Sequence, residues 1–244
     1  TDLPADLIKI IDTSDRVEEE VAEIPPYEEI PLPEKNTFLF PPIWGRIGKT
    51  AEKLDKELIF KWINHRVLFR QRWGYKRGKQ DAAKFLKYEE DVVEPTYQTL
   101  KAELLDKNIF EPIAIYAYYP CISWDNKIYI FDKKYLFNSL EEAKNVPPLS
   151  EAIKVLEFPR QKRKPFRCIA DFFANDRLDV IAFTLASAGL KISDYERSLY
   201  DKGEFTKYYQ VHGLGVELAE ALAEVLHKQI RLDLDIVPKE GHTL

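Results

Sequence analysis

IAIYAYYPCISWDNKIYIF, residues 113–131, is rich in β-branched and aromatic residues at both ends and is interrupted at Trp124, Asp125 and Asn126. Two extended runs around a short polar turn predict a β-hairpin. Two segments of similar content further on, FRCIADFF (166–173) and DVIAFTLAS (179–187), predict two more strands. Upstream the periodicity is helical. AEKLDKELIFKWINHRVLFRQRW (51–73) is amphipathic, with Leu54, Leu58, Phe60, Trp62, Ile63 and Leu68 available to a core. Gly74 and Gly78 break that pattern, and a second helical region follows over about 81–107, with Pro95 in the first turn of its second segment.

Downstream, Ser139 with Glu142 and Ser193 with Glu196 each give the S-x-x-E capping box, so these serines are read as helix starts rather than nucleophiles. Gly203 ends the helix opened at Ser193, and a long final helix runs from near Glu204. Within it, ELAEALAEVLHKQIR (217–231) places Leu218, Ala221, Leu222, Val225, Leu226 and Ile230 on one side. Glu217, Glu220, Glu224, His227 and Arg231 fall opposite, where Glu224 can pair with His227 or Arg231 on a solvated face. Strands grouped between helices, without a β-α-β rhythm, predict an α+β fold: a mainly antiparallel, twisted sheet flanked by helices, with a long C-terminal helix.

The length of 244 residues suits one large domain with appendages. Residues 1–42 hold seven of the fifteen prolines and eleven acids against three bases, a composition that predicts an acidic, proline-rich linker ahead of a domain spanning 43–244. The remaining 30 acids and 33 bases nearly balance, which argues against a nucleic-acid binder. Cys121 and Cys168 are expected as buried, reduced thiols. The longest apolar run, 180–190, is too short to span a membrane, and no secretory signal opens the chain. Methionine is absent, as expected of a piece of a longer polypeptide or of an edited sequence. Dinucleotide, Walker, zincin and serine-hydrolase motifs are also absent, and His65, His212, His227 and His242 show no metal-ligand spacing. No catalytic side chain or metal ligand is therefore assigned.

Five segments nonetheless resemble a known family in their order. FPPIWG (40–45), WINHRVLFRQRWGYKRG (62–78), IAIYAYYPCISWDNKIYIF (113–131), FPRQKRKPFRCIADFF (158–173) and YYQVHGLGVELAEALAEVLHKQIR (208–231) look like the activation domain of cobalamin-dependent methionine synthase. The resemblance covers roughly residues 40–232, and the acidic start looks like the linker to a preceding cobalamin-binding domain.

What the resemblance implies is a module of a cytoplasmic methyltransferase in methionine biosynthesis. It would present the methyl group of S-adenosylmethionine to cobalamin held by a neighbouring domain of the same enzyme, while a flavodoxin-like protein supplies one electron. The basic stretches WGYKRGK (73–79) and RQKRKPFR (160–167), read as solvated loops, are candidates for docking that donor. Carried over by position, the glutamate of the family's L-A-E-A motif falls on Glu220, and an aspartate of the first helix is replaced by Asn64. A carboxylate suits a ligand bearing a sulfonium and an ammonium; an amide keeps an acceptor but no charge. The chain ends at KEGHTL without the family's Arg-x-x-x-Gly-Tyr motif, so S-adenosylmethionine binding is expected once that segment is supplied. The alternative is a non-catalytic interaction module that caps a corrinoid domain or receives the electron donor.

Overall fold

The computed structural model describes residues 24–32, 38–49 and 51–236. Among the described residues, contacts cluster in two compact units, one of residues 24–32, 38 and 120–179, the other of 39–49, 51–119 and 180–236. The longest strand passes from one into the other. The architecture is α+β, with a sheet of order β1-β2-β3-β4 in which β5 also pairs with β2.

The second unit contains β1 (Gly45–Lys49), α1 (Lys56–Lys61), α2 (His65–Val67), which continues as a π-helical turn over Leu68–Arg72, then α3 (Ala82–Tyr88) and α4 (Glu94–Asp106). A second π-helical turn, Glu89–Val93, joins the last two, and Pro95 sits in the first turn of α4 as its lost N–H requires. The unit ends in α6 (Leu190–Asp201) and the 29-residue α7 (Phe205–Asp233). Leu214, Leu218, Leu222 and Leu226 of α7 are buried, as are Ile59 and Phe60 of α1 and Leu68 of the π turn. Burial of this kind contributes about 1.5–3 kcal/mol per large aliphatic side chain.

β2 (Ile113–Trp124) is the first arm of the expected hairpin, and β3 (Lys127–Ile130) is the second, with Trp124 opposite Lys127 and Asp125 at φ +52° in the two-residue turn. The antiparallel β1 register ends at Gly45 opposite Tyr118, and the β3 register begins at Cys121 opposite Ile130. Pro120, which has no N–H to give, lies between those registers and uses its carbonyl to accept from Phe131 N–H at 2.9 Å.

The first unit adds α5 (Leu140–Ala143) and β4 (Lys154–Glu157), which pairs with β3; most of β5 (Asp179–Ser187) belongs to the second unit. Ser139 caps α5 as expected, accepting from Glu142 N–H at 3.2 Å, while the Glu142 carboxylate accepts from Asn138 N–H. FRCIADFF is not a strand. It forms a 3-10 turn at Ile169–Phe172 because Asp171 is drawn inward: its carboxylate accepts from Cys168 N–H at 2.8 Å and takes both ends of the Arg160 guanidinium at 2.8 and 2.9 Å. Arg160 is thus buried rather than part of a solvated loop, whereas Lys162 and Lys164 are exposed. Cys121 and Cys168 are buried free thiols, and burial pushes the Cys121 thiol well above its ordinary pKa.

Of the expected linker, residues 1–23 and 33–37 lie outside the described residues. Residues 24–32 pack onto the first unit, contrary to an extended reading: Ile30 is buried, the Tyr27 ring meets Trp124 at 5.9 Å, and Arg167 donates to the Pro31 carbonyl at 2.8 Å. An aromatic and an aliphatic side chain among the prolines give the segment something to bury. The second capping box also fails. α6 begins at Leu190, with Gly189 as N-cap at φ +97°, a position where any Cβ would collide with the Glu111 carbonyl. Ser193 therefore lies inside the helix. Gly203, at φ +76°, does close α6, with Glu204 N–H returning to the Leu199 carbonyl at 2.9 Å. Among the described residues, no helix is long and apolar enough to cross a membrane.

Candidate functional site

The amphipathic stretch 51–73 folds as more than one helix, and the break positions the site. α1 stops at Trp62, whose N–H bonds back to the Ile59 carbonyl, and Asn64 restarts the chain as an N-cap. Its Oδ1 accepts from Val67 N–H at 3.1 Å. The sequence reading offers that oxygen to a ligand; here it is already engaged, so the amide presents its NH2 group as a donor. The following turn widens to i→i−5 spacing, with Trp73 N–H reaching the Leu68 carbonyl at 2.8 Å. Such π-helical turns occur often at functional sites. This one ends on Arg72.

Two glycines bring α7 close to its neighbours. A Cβ on Gly213 would stand 3.0 Å from both the Arg72 Cβ and the Trp73 ring, and one on Gly215 would stand 3.0 Å from Ile192 of α6. Residues two apart on a helix point to nearly opposite sides, so each glycine admits a different partner. Trp73 then donates from its indole to the Gln210 carbonyl at 2.9 Å. One turn past Gly213, Glu217 meets Arg72: Nε donates to Oε1 at 2.8 Å.

That pair corrects the expected charged stripe. Glu217 is 3% exposed and belongs to the packed face, not to the wet one. Arg231 also departs from it, donating to the Ile236 carbonyl at 3.3 Å instead of pairing with Glu224. What is left of the stripe, Glu220, Glu224 and His227, lines a groove of ≈ 640 Å³ between α7 and the α1–α2 junction, and Asn64 and Arg72 line it from the other wall. The structure thus places Asn64 and Glu220 on one groove although they are distant in sequence. Trp62 lies there too, with the Lys228 ammonium 5.3 Å over its ring. On its other side, Glu220 borders a second groove of ≈ 530 Å³ against α6, where His212 Nδ1 lies 3.2 Å from Glu196.

Arg72 and Glu217 went unrecognised in the sequence. Nothing in the spacing separates Glu217 from the other glutamates of α7; the only cue is Gly213 four residues earlier on the same face, where a missing side chain lets a neighbour in. The two residues assigned by resemblance, Asn64 and Glu220, suit a cationic ligand with hydroxyls: a solvent-facing carboxylate on α7 stands across from an amide donor.

The fold is that of a solved reactivation domain. A crystal structure of the MetH reactivation domain bound to AdoHcy superposes with a TM-score of 0.66 at 19% identity, covering 85% of this chain and 62% of that one. Residues 57–241 match the family described as "Vitamin B12 dependent methionine synthase, activation domain", and the chain belongs to that family. Methionine synthase of Mycobacterium tuberculosis is 32% identical over 209 residues, and that of Mycobacterium leprae 33% over 207. Each alignment takes in 80% of this chain, and the chain spans about 16% of the length of these relatives.

Proposed function

We propose that the chain serves as the activation region of a cobalamin-dependent methionine synthase, holding S-adenosylmethionine in the Asn64–Glu220 groove and presenting its methyl group to cobalamin carried by a neighbouring domain. The observation that carries this reading is the convergence of Asn64 and Glu220, the two positions given by family resemblance, on one concave surface. Cobalamin carried by a neighbouring domain would supply the nucleophile for the methyl group, with S-adenosylhomocysteine as the other product. The chain's own residues position the donor. Glu220 attracts a cationic group, Asn64 donates to a hydroxyl or carboxylate oxygen, and the packed α7 face keeps the two walls at fixed separation. AdoHcy in the similar crystal structure is the product expected of such a transfer.

Titrating S-adenosylmethionine into this chain, with and without the family's Arg-x-x-x-Gly-Tyr segment fused after it, tests the reading. Glu220→Gln is expected to weaken binding about tenfold or more, as a lost charge-assisted hydrogen bond would. Glu224→Gln should cost far less. Equal affinities in all three would leave the groove as hydrated helix surface and favour the interaction-module alternative.

The electron donor belongs to the same proposal. A flavodoxin-like, acidic protein would dock on the exposed Lys162 and Lys164. Reversing the charges at Lys162 and Lys164 should slow its association and flatten the salt dependence. Association rates unchanged at low salt would remove this docking surface.

A further inference from the structure

The segment 24–32 lies on the first unit without joining its sheet. Among the described residues it pairs with no strand, and its two backbone–backbone hydrogen bonds, from Glu29 N–H to the Pro26 carbonyl and from Ile30 N–H to the Tyr27 carbonyl, both close within the segment. Three points within five residues attach it to the unit. The Tyr27 ring meets Trp124 and lies 5.7 Å under the Arg160 guanidinium, while its hydroxyl accepts from Asn175 Nδ2 at 3.4 Å. Ile30 is buried, and the Pro31 carbonyl accepts from Arg167 at 2.8 Å. Glu28 and Glu29, between the two anchoring side chains, are exposed.

The receiving surface is held by bonds that do not involve the segment. Arg160 is fixed by both oxygens of Asp171 and by the carbonyls of Phe166 and Asp125. Trp124 ends β2, paired with Lys127 in the hairpin, and stays 53% exposed with Tyr27 against it. Facing this preformed aromatic and cationic surface is a segment with prolines at 25, 26, 31 and 33. Such pairings recognise proline-rich peptides well, because proline restricts the free segment and less conformational freedom is lost when it seats.

We infer that this surface is a peptide-binding site for an extended, proline-flanked segment of the pattern P-P-Y-x-x-I-P, and that residues 25–31 are its ligand in cis, seating and leaving as one piece. Tyr27 is recognised through Trp124 and the Arg160 cation, Ile30 through burial and Pro31 through its carbonyl. Separability follows from how the bonds divide: opening the segment breaks no backbone–backbone hydrogen bond of the unit and leaves Arg160 with all four of the acceptor groups named above. For a domain joined through residues before Ile24, as the functional reading above has it, seating shortens the tether and release returns up to about 3.3 Å of reach for each residue freed. The peptide site itself does not depend on that reading.

The test empties the site in the full 244-residue chain and refills it in trans. Tyr27→Ala with Ile30→Asp removes both anchoring side chains of the segment and leaves every residue of the receiving surface. A fluorescein-labelled peptide of residues 24–32 is titrated into the wild type and into this variant, with binding read by anisotropy. The wild type's own segment competes at the effective concentration of a tethered ligand, so the emptied variant should bind the peptide at least about tenfold more tightly. A peptide carrying the same two substitutions should bind the variant about tenfold more weakly or worse, and Trp124→Ala added to the variant should weaken the unsubstituted peptide by about two- to tenfold. Reaction of the buried Cys121 and Cys168 with a thiol reagent reports whether the unit stays folded, and both should remain unreactive in the variant. Equal binding by wild type and variant, or no binding by the variant, overturns the inference. Reactive thiols also overturn it, because the segment would then be an integral part of the unit rather than its ligand. None of these readouts involves S-adenosylmethionine, and the groove stands or falls separately on the Glu220 titration.

Discussion

Tyr118 donates its hydroxyl to Asp233 Oδ2 at 2.8 Å, joining the middle of β2 to the last turn of α7. Tyr118 is 1% exposed; burial, reinforced by the neighbouring Asp233 carboxylate, holds its phenol well above the ordinary tyrosine pKa. The Asp233 Oδ1 accepts from Gln229 at 2.7 Å, so that carboxylate is held from both sides. Tyr118→Phe keeps the ring and removes only the donor. It should lower stability by about 1–2 kcal/mol, read as a lower urea midpoint at an unchanged slope.

Glu103 gathers α4, α6 and α7 around one carboxylate, accepting from Tyr195 and Lys107 at 2.6 Å each and from Lys207 at 2.8 and 3.0 Å. Burial pushes its pKa up, but the three hydrogen bonds outweigh that and pull it down from 4.5 to about 2. A carboxyl depressed in the folded state contributes its full stability above pH 4.5 and loses it as the pH falls through about 2. The wild type should therefore lose on the order of 2 kcal/mol across that window through this residue. Glu103→Gln should be less stable at pH 7 and show a shallower decline below pH 4.5, measured by chemical denaturation at a series of pH values.

Asp171 is fully buried and serves Arg160 and the Cys168 amide at once. Asp171→Ala would leave a guanidinium that is 5% exposed with the Asp125 carboxylate, 3.6 Å away, as its remaining acidic partner, at a cost of about 3–5 kcal/mol. Removing Arg160 as well should not restore stability, because Cys168 N–H would remain unpaired. Proteolysis of the 158–173 loop should accelerate in both variants, and slow cleavage in either would show that the pair does not organise the loop.

Gly213→Ala sets helix propensity against packing. In a free helix the change would stabilise by about 1 kcal/mol. Here the new methyl would press on Arg72 Cβ and Trp73 at 3.0 Å, a crowding that costs about 1–3 kcal/mol. Packing should win, with a lower melting temperature as the π turn shifts.

The features that announced themselves in sequence were those with local causes. The hairpin around Asp125, the Ser139 cap, the Gly203 stop and the leucine face of α7 each follow from short-range chemistry, and each stands in the structure. β1 was missed because two of its five residues, Gly45 and Gly48, carry no side chain to show alternation. FRCIADFF misled because its aromatic content says strand while one buried carboxylate, answering an arginine eleven residues earlier, says turn. The site was half legible. Glu220 and Asn64 came from family resemblance, whereas the Arg72–Glu217 pair links residues far apart in sequence, and no periodicity encodes that.

Because successive residues of a helix are about 100° apart in projection, a single firm contact can set the rotational phase of the whole rod. For α7, some 43 Å long at 1.5 Å per residue, the Arg72–Glu217 contact is that index mark. Glu220, three positions later, then falls about 60° to one side, which is why it borders both grooves. One residue inserted between Gly213 and Glu217 would break the register between them and swing Ala219 to where Glu220 now points. The partly exposed Val216 can change its side chain freely, but the segment around it cannot change its length.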